Sequence, residues 1–196
     1  GFLKLMDVNA FRTQKRNGKG VLGANLMEDD IISQVLYTKL HNKTLFFTSH
    51  GKVYELENIE VEESNRATKG KPVTKYIKLD DGERVLSMID ITDYIGDLFF
   101  VTKNGIVKRT SLDDFRNINS KGIRAITFKD GDELVSVLRV TSDQSTVLIS
   151  TKLGLSIRFG VDDVRTMGRN AAGVRGIRLR EGDRVISSTI LDNDSG

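Results

Sequence analysis

The sequence contains no cysteine and no tryptophan, and it has one proline and two histidines among 196 residues. The absence of cysteine excludes disulfide frameworks, cysteine-based zinc sites and thiol nucleophiles. No apolar run approaches the roughly 18 residues of a membrane span, and no signal-peptide pattern is present. We therefore expect a folded domain in the cytoplasm.

The charge balance alone does not identify a partner. Lysine and arginine number 30 against 27 acidic residues, so the formal net charge is +3, with 38% hydrophobic residues. Such a composition is typical of a globular chain. Nucleic-acid binding depends on how the cations are distributed, so their positions matter more than the net charge.

The clearest pattern is an internal repeat of about fifty residues. A motif beginning with glycine recurs at 1–5, 51–55, 105–109 and 154–158. Three copies follow an apolar segment, at 45–48, 98–102 and 147–151, and each pair predicts two short strands joined by a tight turn. The glycine pairs Lys19-Gly20, Lys69-Gly70, Lys121-Gly122 and Ala172-Gly173 recur in step with it, as do acidic turns at Asp29, Asp81, Asp130 and Asp183.

A β-branched segment follows each acidic turn, so every unit predicts about four short strands. We predict an all-β, propeller-like array of about four four-stranded blades in a single domain, 1–196, with repeat units of about 1–50, 51–104, 105–153 and 154–196. Each end is cut at the same phase of the repeat. This predicts a piece of a longer protein in which an edge strand is left unpaired.

The most basic segment lies in the first unit. It is Gln14, Lys15, Arg16, Asn17, Gly18, Lys19 and Gly20, which combines three cations with two glycines. The nucleotide P-loop motif is excluded, because position 13 is threonine. Arg12 lies near this segment, and cations recur at related phases of the other units. We predict that all of these also contact phosphates: Arg12, Arg66, Lys69, Lys71, Lys121, Arg124, Arg169, Arg175 and Arg178. With acidic turns at another phase, the cations would line one rim.

Enzymatic interpretations are weak, and we predict neither catalytic nor metal-binding residues. His41 and His50 lack the spacing of metal ligands, and His50 is predicted in a hairpin turn. The acidic turns recur in every unit, which favours turn chemistry over catalysis. The four tyrosines (Tyr37, Tyr54, Tyr76 and Tyr94) and the phenylalanines Phe11, Phe115 and Phe128 are predicted to pack in the interior.

The segment 14–20 resembles the signature box of the C-terminal domain of the DNA gyrase A subunit, usually Gln-Arg-Arg-Gly-Gly-(Lys/Arg)-Gly. Residues 1–4 and 167–179 also resemble this family, and the similarity covers essentially the whole chain. Lys15 and Asn17 depart from the box but keep charge and turn-forming ability. Family members usually have about six blades.

The resemblance implies a β-pinwheel, around whose outer rim double-stranded DNA wraps. It implies membership of a bacterial type IIA topoisomerase, in which gyrase B subunits and the rest of the gyrase A chain are partners in an A2B2 assembly. ATP and Mg would act elsewhere in that enzyme, with no cofactor in this domain, and the protein would be associated with the nucleoid. Two alternatives stay open: a topoisomerase IV-type domain that binds DNA without a full wrap, and a propeller scaffold for protein partners.

Overall fold

The computed structural model describes residues 2–7, 19–25, 34–39, 41–61, 63 and 70–192. The predictions for residues 12, 14–18, 66 and 69, and for Phe11, fall outside the described residues. Within the described part, the regular structure consists of β-strands and short 3-10 helices at Asn58–Glu60, Val73–Lys75, Leu112–Phe115 and Val161–Asp163. The all-β prediction is confirmed. No helix in these ranges is long and apolar enough to cross a membrane.

Fifteen strands are described, and each is antiparallel to its neighbours wherever their register is defined. They are β1 (Phe2–Asp7), β2 (Lys19–Asn25), β3 (Gln34–Lys39), β4 (Lys43–Thr48), β5 (Lys52–Glu57), β6 (Lys71–Pro72), β7 (Val85–Ile91), β8 (Asp97–Thr102), β9 (Ile106–Ser111), β10 (Ile123–Arg124), β11 (Leu134–Val140), β12 (Thr146–Thr151), β13 (Ser156–Gly160), β14 (Val174–Arg175) and β15 (Val185–Leu191).

The chain divides into two compact units. Unit 1 comprises Gly1–Thr48, Val53–Thr92 and Ile118–Ile123, and unit 2 comprises Ser49–Lys52, Asp93–Asn117 and Arg124–Gly196. In unit 1 the sheet orders are β3-β2-β1-β6 and β10-β5-β4-β7, where Ile123 is the residue of β10 that belongs to this unit. In unit 2 the orders are β11-β8-β9-β14 and β13-β12-β15. The number of sheets, four, equals the predicted number of blades, although β4, β8 and β12 each precede the glycine at which the next predicted unit begins.

The three predicted hairpins are β4–β5, β8–β9 and β12–β13, and all three are present. The turn glycines Gly51, Gly105 and Gly154 have φ angles of 74°, 84° and 89°. Glycine reaches this left-handed region without the clash that a Cβ atom causes, which explains its recurrence there. His50 lies in the first of these turns, as predicted.

The two-residue strands come from the repeat that follows the sheet they complete. In unit 1, β6 lies beside β1, with Leu3 opposite Lys71. In unit 2, β14 lies beside β9, with Val107 opposite Val174. Each such sheet is therefore completed by a later segment of the chain, an exchange that the sequence pattern alone did not predict.

The backbone of Lys19 and Gly20 is a strand and not the predicted loop. Both residues begin β2, which pairs with β1 on one side and β3 on the other, and Gly20 is opposite Asp7. The edge strand that was expected to lack a partner is not β1, because β2 and β6 flank it. Among the strands with defined positions, β13 pairs with β12 alone, so one sheet has three strands.

Each unit has its own apolar core. In unit 1, Leu3, Phe46, Tyr54 and Val73 are among the residues that pack together, and Tyr76 is partly buried against them. In unit 2 the core includes Phe99, Val107, Val147 and Val161. The interior positions predicted for Tyr54 and Phe115 are confirmed, whereas Phe128 and Tyr94 are only half-buried. Side-chain positions are not described for Tyr37.

Candidate nucleic-acid interface

The described candidates for phosphate contact are Lys71, Lys121, Arg124, Arg169, Arg175 and Arg178. Lys71 begins β6 and Lys121 lies in the turn before β10, and both side chains are exposed in unit 1. The four arginines belong to unit 2, where Arg124, Arg175 and Arg178 are exposed and Arg169 is half-buried. For Lys19 and Gly20 the structure gives the backbone alone.

In the last three of the four Lys-Gly and Ala-Gly pairs, the glycine directly precedes an exchanged strand and allows it to approach its neighbour. Gly70, Gly122 and Gly173 have φ angles of 83°, 72° and 95°. A Cβ atom on Gly70 would lie 2.7 Å from the carbonyl oxygen of Leu3, and one on Gly173 would lie still closer to that of Val107. Only glycine allows so close an approach of two backbones. The close approach of the two backbones thus explains these glycines. Only the cationic side chains beside them are then available to bind an anion.

Some arginines of unit 2 form ion pairs with carboxylates, and others do not. Arg109 is held by Asp97 and Asp143, Arg116 by Asp113, and Arg139 by Asp93. By contrast, Arg124, Arg175 and Arg178 have no acidic partner within the described ranges. An arginine without a carboxylate partner keeps its five N–H donors for phosphate oxygens.

Arg124 and Arg175 occupy the same place in successive repeats. Each is the second residue of a two-residue strand and stands two positions after a glycine with positive φ, Gly122 or Gly173. Both side chains are exposed. The fifty-residue period therefore places one exposed arginine on each of these two exchanged strands.

The segment that carries Arg169 is fixed by hydrogen bonds from other parts of unit 2. The backbone nitrogen of Met167 donates to the carbonyl oxygen of Arg109 at 2.7 Å, and the hydroxyl of Thr127 donates to the carbonyl oxygen of Asn170 at 2.7 Å. The Nζ of Lys108 donates to the carbonyl oxygens of Arg169 and Ala125. The backbone at Arg169 is thereby held against β9.

Lys108 is fully buried, with its ammonium 5.0 Å from the centroid of the Phe100 ring. Burial lowers the pKa of Lys108 from 10.5 to about 8, and the nearby Arg169 acts in the same direction, against the opposing effect of Asp114. Lys108 is not among the residues that the sequence pattern singled out. A signal existed, because the aligned positions Lys4 and Tyr54 also carry a polar group at the end of a long side chain.

The acidic turns hold the hairpin turns of the same repeat. Asp132 Oδ1 accepts hydrogen bonds from the backbone nitrogens of Asn104 and Glu133, at 2.9 and 2.8 Å. Asp183 Oδ1 likewise accepts from Leu153 at 2.9 Å. Burial tends to raise the pKa of Asp183, but hydrogen bonds from Thr151 and from two backbone nitrogens outweigh it, so the pKa lies below its usual value.

Acidic and basic groups are not segregated in unit 2. A cavity of about 470 Å³ is lined by Lys129, Asp130 and Asp132 of the third acidic turn and by Arg175 of β14. The expected separation of anions from cations is therefore wrong at this place. The reason is the strand exchange, which brings the basic strand of one repeat beside the acidic turn of the preceding one.

Four antiparallel sheets at a regular period, three of them completed by a strand from the following repeat, define the class of β-propeller-like repeat proteins known as β-pinwheels. The family described as "DNA gyrase C-terminal domain, beta-propeller" matches residues 1–39, 42–92, 96–141 and 145–192. The chain belongs to this family.

Similar proteins agree with this assignment. The chain is 42% identical to the DNA gyrase A protein of Staphylococcus epidermidis over 99% of its own length and 22% of the relative's. It is 45% identical to the DNA gyrase A protein of Thermotoga maritima over 97% of its length and 24% of the relative's. The chain therefore spans about a fifth to a quarter of the curated relatives it matches.

Two solved structures share the fold. The C-terminal domain of a DNA topoisomerase IV has a TM-score of 0.76 at 24% identity, with coverage of 97% of this chain and 58% of the other. A DNA gyrase A C-terminal domain has a TM-score of 0.70 at 25% identity, with coverage of 95% and 63%. The predicted family and fold class are thus confirmed. The repeat limits and the phosphate-contacting residues stay predictions.

Proposed function

We propose that this chain binds duplex DNA without reading its sequence and wraps it along the cations that recur at one phase of the repeat. The observation that carries this proposal is the presence, on successive exchanged strands, of exposed arginines that have no carboxylate partner among the described residues, Arg124 and Arg175, together with Arg178. Cations that are already neutralised by carboxylates, such as Arg109 and Arg116, would contribute little to phosphate binding.

Wrapping requires several such contacts. Bending a short DNA site by 40–90° costs on the order of 1–6 kcal/mol, which no single exposed arginine offsets. Contacts repeated along the chain distribute this cost, as in other proteins that bind through backbone contacts and DNA deformability. If each repeat neutralises about two phosphates, the slope of log K against log salt is near −7.

Within a longer protein, we propose that the domain acts with gyrase B subunits and with the remainder of a gyrase A chain in an A2B2 assembly in the cytoplasm. Wrapping would fix the crossing sense of two DNA segments for ATP-dependent negative supercoiling. In this proposal ATP and Mg act elsewhere in the assembly, and this domain contributes no catalytic residue and no cofactor site.

A salt series tests DNA binding. The 196-residue chain is titrated into a labelled duplex of mixed sequence, and anisotropy is followed from about 50 to about 300 mM salt, the range in which phosphate contacts lose most of their affinity. We expect a steep loss of affinity and similar affinities for unrelated sequences. Absent or salt-independent binding would instead favour a scaffold for protein partners.

A topological assay tests wrapping. Plasmid is relaxed by an unrelated topoisomerase in the presence of the chain, and the retained linking difference is counted. Binding without a retained difference would support the second candidate, a topoisomerase IV-type domain, with which the observed fold is also compatible.

The predicted box is tested in the same assay. Replacing Lys15, Arg16 and Lys19 together with alanine is expected to abolish the linking difference while leaving the circular dichroism spectrum unchanged. A variant with full topological activity would remove the box from the proposed mechanism.

A further inference from the structure

Among the described residues, Lys108 is the lysine whose side chain is fully buried and whose ammonium has defined partners, namely two backbone carbonyl oxygens and an aromatic ring. It lies in β9 with 0% exposure, and its Nζ donates to the carbonyl oxygens of Ala125 and Arg169. The Phe100 ring lies 5.0 Å away, within the range of a cation–π interaction. A buried ammonium is costly unless it has such partners, so the geometry of this site is tightly specified.

The two carbonyl groups belong to segments that carry predicted phosphate contacts. Ala125 follows Arg124 directly, and the second carbonyl is that of Arg169 itself. Because both oxygens bind one nitrogen, the two backbones approach within about 6 Å of each other at this point. The sequence separates Ala125 from Arg169 by most of one repeat, so nothing local would bring them together.

We propose that Lys108 is a positioning residue for DNA binding, which joins the backbones at Ala125 and Arg169 so that the side chains of Arg124 and Arg169 act on the same stretch of phosphates. This inference rests on the proposed function. It adds a buried residue, which itself touches no DNA, to the exposed cations.

The fold does not require a lysine at this position in every repeat, although the first repeat also has one, the buried Lys4. The aligned residue of the fourth repeat is Ile157, which is partly buried in the core of unit 2. In the second repeat it is Tyr54, whose hydroxyl donates to Glu83 at 2.7 Å. The position therefore accepts apolar and neutral residues, and the link to two basic segments is specific to Lys108 among these three repeats.

The protonation of Lys108 provides a second measurable quantity. Burial first, and then repulsion by Arg169, lower the pKa of Lys108 to about 8, while Asp114 acts in the opposite direction. Among the described residues, Arg169 and Asp114 are the charged groups that act on the ammonium. Phosphates bound at Arg169 would favour the protonated form, so DNA binding near pH 8 should raise this pKa and take up protons.

The test compares the 196-residue chain with the Lys108→Met variant, which keeps the length of the side chain but removes the charge and the N–H donors. Lys152→Met is the matched control, because it removes one exposed lysine from the turn between β12 and β13, which belongs to neither segment. Duplex binding is measured over a salt series. Proton uptake at pH 8 is measured by calorimetry in two buffers of different ionisation enthalpy. Amide hydrogen exchange of 124–125 and 169–173 is measured without DNA.

For Lys108→Met we expect the salt slope to fall in magnitude by up to about 2, since up to two phosphate contacts are lost at about 0.9 each. We also expect no proton uptake from this group and faster exchange in both segments. Lys152→Met should change the slope by at most one contact and keep the proton uptake and the exchange rates of the wild type.

An unchanged slope and unchanged exchange in Lys108→Met, with a wild type that binds DNA, would overturn the positioning role alone. A wild type that does not bind duplex DNA overturns the proposed function, and this inference with it. If the variant does not fold, the pKa of Lys108 is measured by NMR in the wild type with and without DNA. A pKa that rises on DNA binding supports the inference, and an unchanged pKa refutes it.

Discussion

The carboxylate of Asp132 accepts a hydrogen bond from the backbone nitrogen of Asn104 at 2.9 Å. This contact ties the acidic turn before β11 to the turn between β8 and β9. The fourth repeat has the same arrangement between Asp183 and Leu153. In the second repeat Glu83 accepts from the hydroxyl of Thr48 at 2.5 Å. Acidic residues therefore recur at this phase because each one accepts hydrogen bonds that hold a blade together. This explains why a chain proposed to bind DNA has acidic turns.

The first prediction concerns this contact. Asp132→Ala should lower the free energy of unfolding by about 2 kcal/mol, because two backbone N–H groups lose a charged acceptor. Asp130→Asn is the control, since Asp130 is exposed with a φ of 53°, a conformation that asparagine tolerates. The control should lie within about 0.5 kcal/mol of the wild type in urea unfolding. Equal stabilities of the two variants would contradict the structural role.

The second prediction concerns the exchange glycine Gly173. Gly173→Ala forces a Cβ into the carbonyl oxygen of Val107 and should displace β14, with a loss of about 3 kcal/mol or more. Gly154→Ala is matched, because Gly154 has a φ of 89° but nothing within 4 Å of a new Cβ. The matched variant should lose only about 1–2 kcal/mol from the left-handed backbone. Calorimetric unfolding of both variants checks the difference.

The third prediction concerns the arginines on the exchanged strands. Arg124→Ala and Arg175→Ala should each reduce the magnitude of the salt slope for duplex binding by about 0.9, and their effects should add. Arg116→Ala is the control, because Arg116 is paired with Asp113 and lies 4.6 Å from the ring centroid of Tyr94. A slope that changes in the control but not in the other two variants would reject the assignment.

The fourth prediction concerns pH and Lys108. Its pKa in the folded chain is about 8, below its ordinary value of 10.5, so the unfolded chain binds more protons between these values. Stability therefore rises with pH from about 8 to about 10.5, by up to about 3 kcal/mol from this group. Other groups titrate in the same range, so the quantity to measure is the difference between wild type and Lys108→Met. A difference that does not change over this window would show that Lys108 is not desolvated.

Much of the fold could be predicted because its signals are local. The hairpins at Gly51, Gly105 and Gly154 follow from an apolar segment, a turn glycine and a second segment within about a dozen residues. Because the hairpin motif recurs about every fifty residues, it predicts a set of similar blades. The family followed from the box and the segment at 167–179.

The contacts that could not be predicted join distant residues. No local signal shows that Val174 pairs with Val107, or that Lys108 binds the carbonyl of Arg169. The Lys-Gly pairs suggested phosphate loops, whereas the structure uses Gly70 and Gly173 for the approach of one backbone to another. Lys19 and Gly20 illustrate the same limit, because residues in the basic segment formed a strand beside β1.

The exchanged strands also determine the order in which the sheets can be completed while the chain is being synthesised. β14 pairs with β9 from a position about seventy residues later, so the third sheet stays incomplete until the ribosome has released about half of the following repeat. A blade of this kind is therefore complete only after part of the next repeat has been synthesised. Nascent chains would therefore expose the outer edges of β1, β5 and β9 in turn, and a pause in translation within a repeat would leave one of these edges open to pairing with another chain.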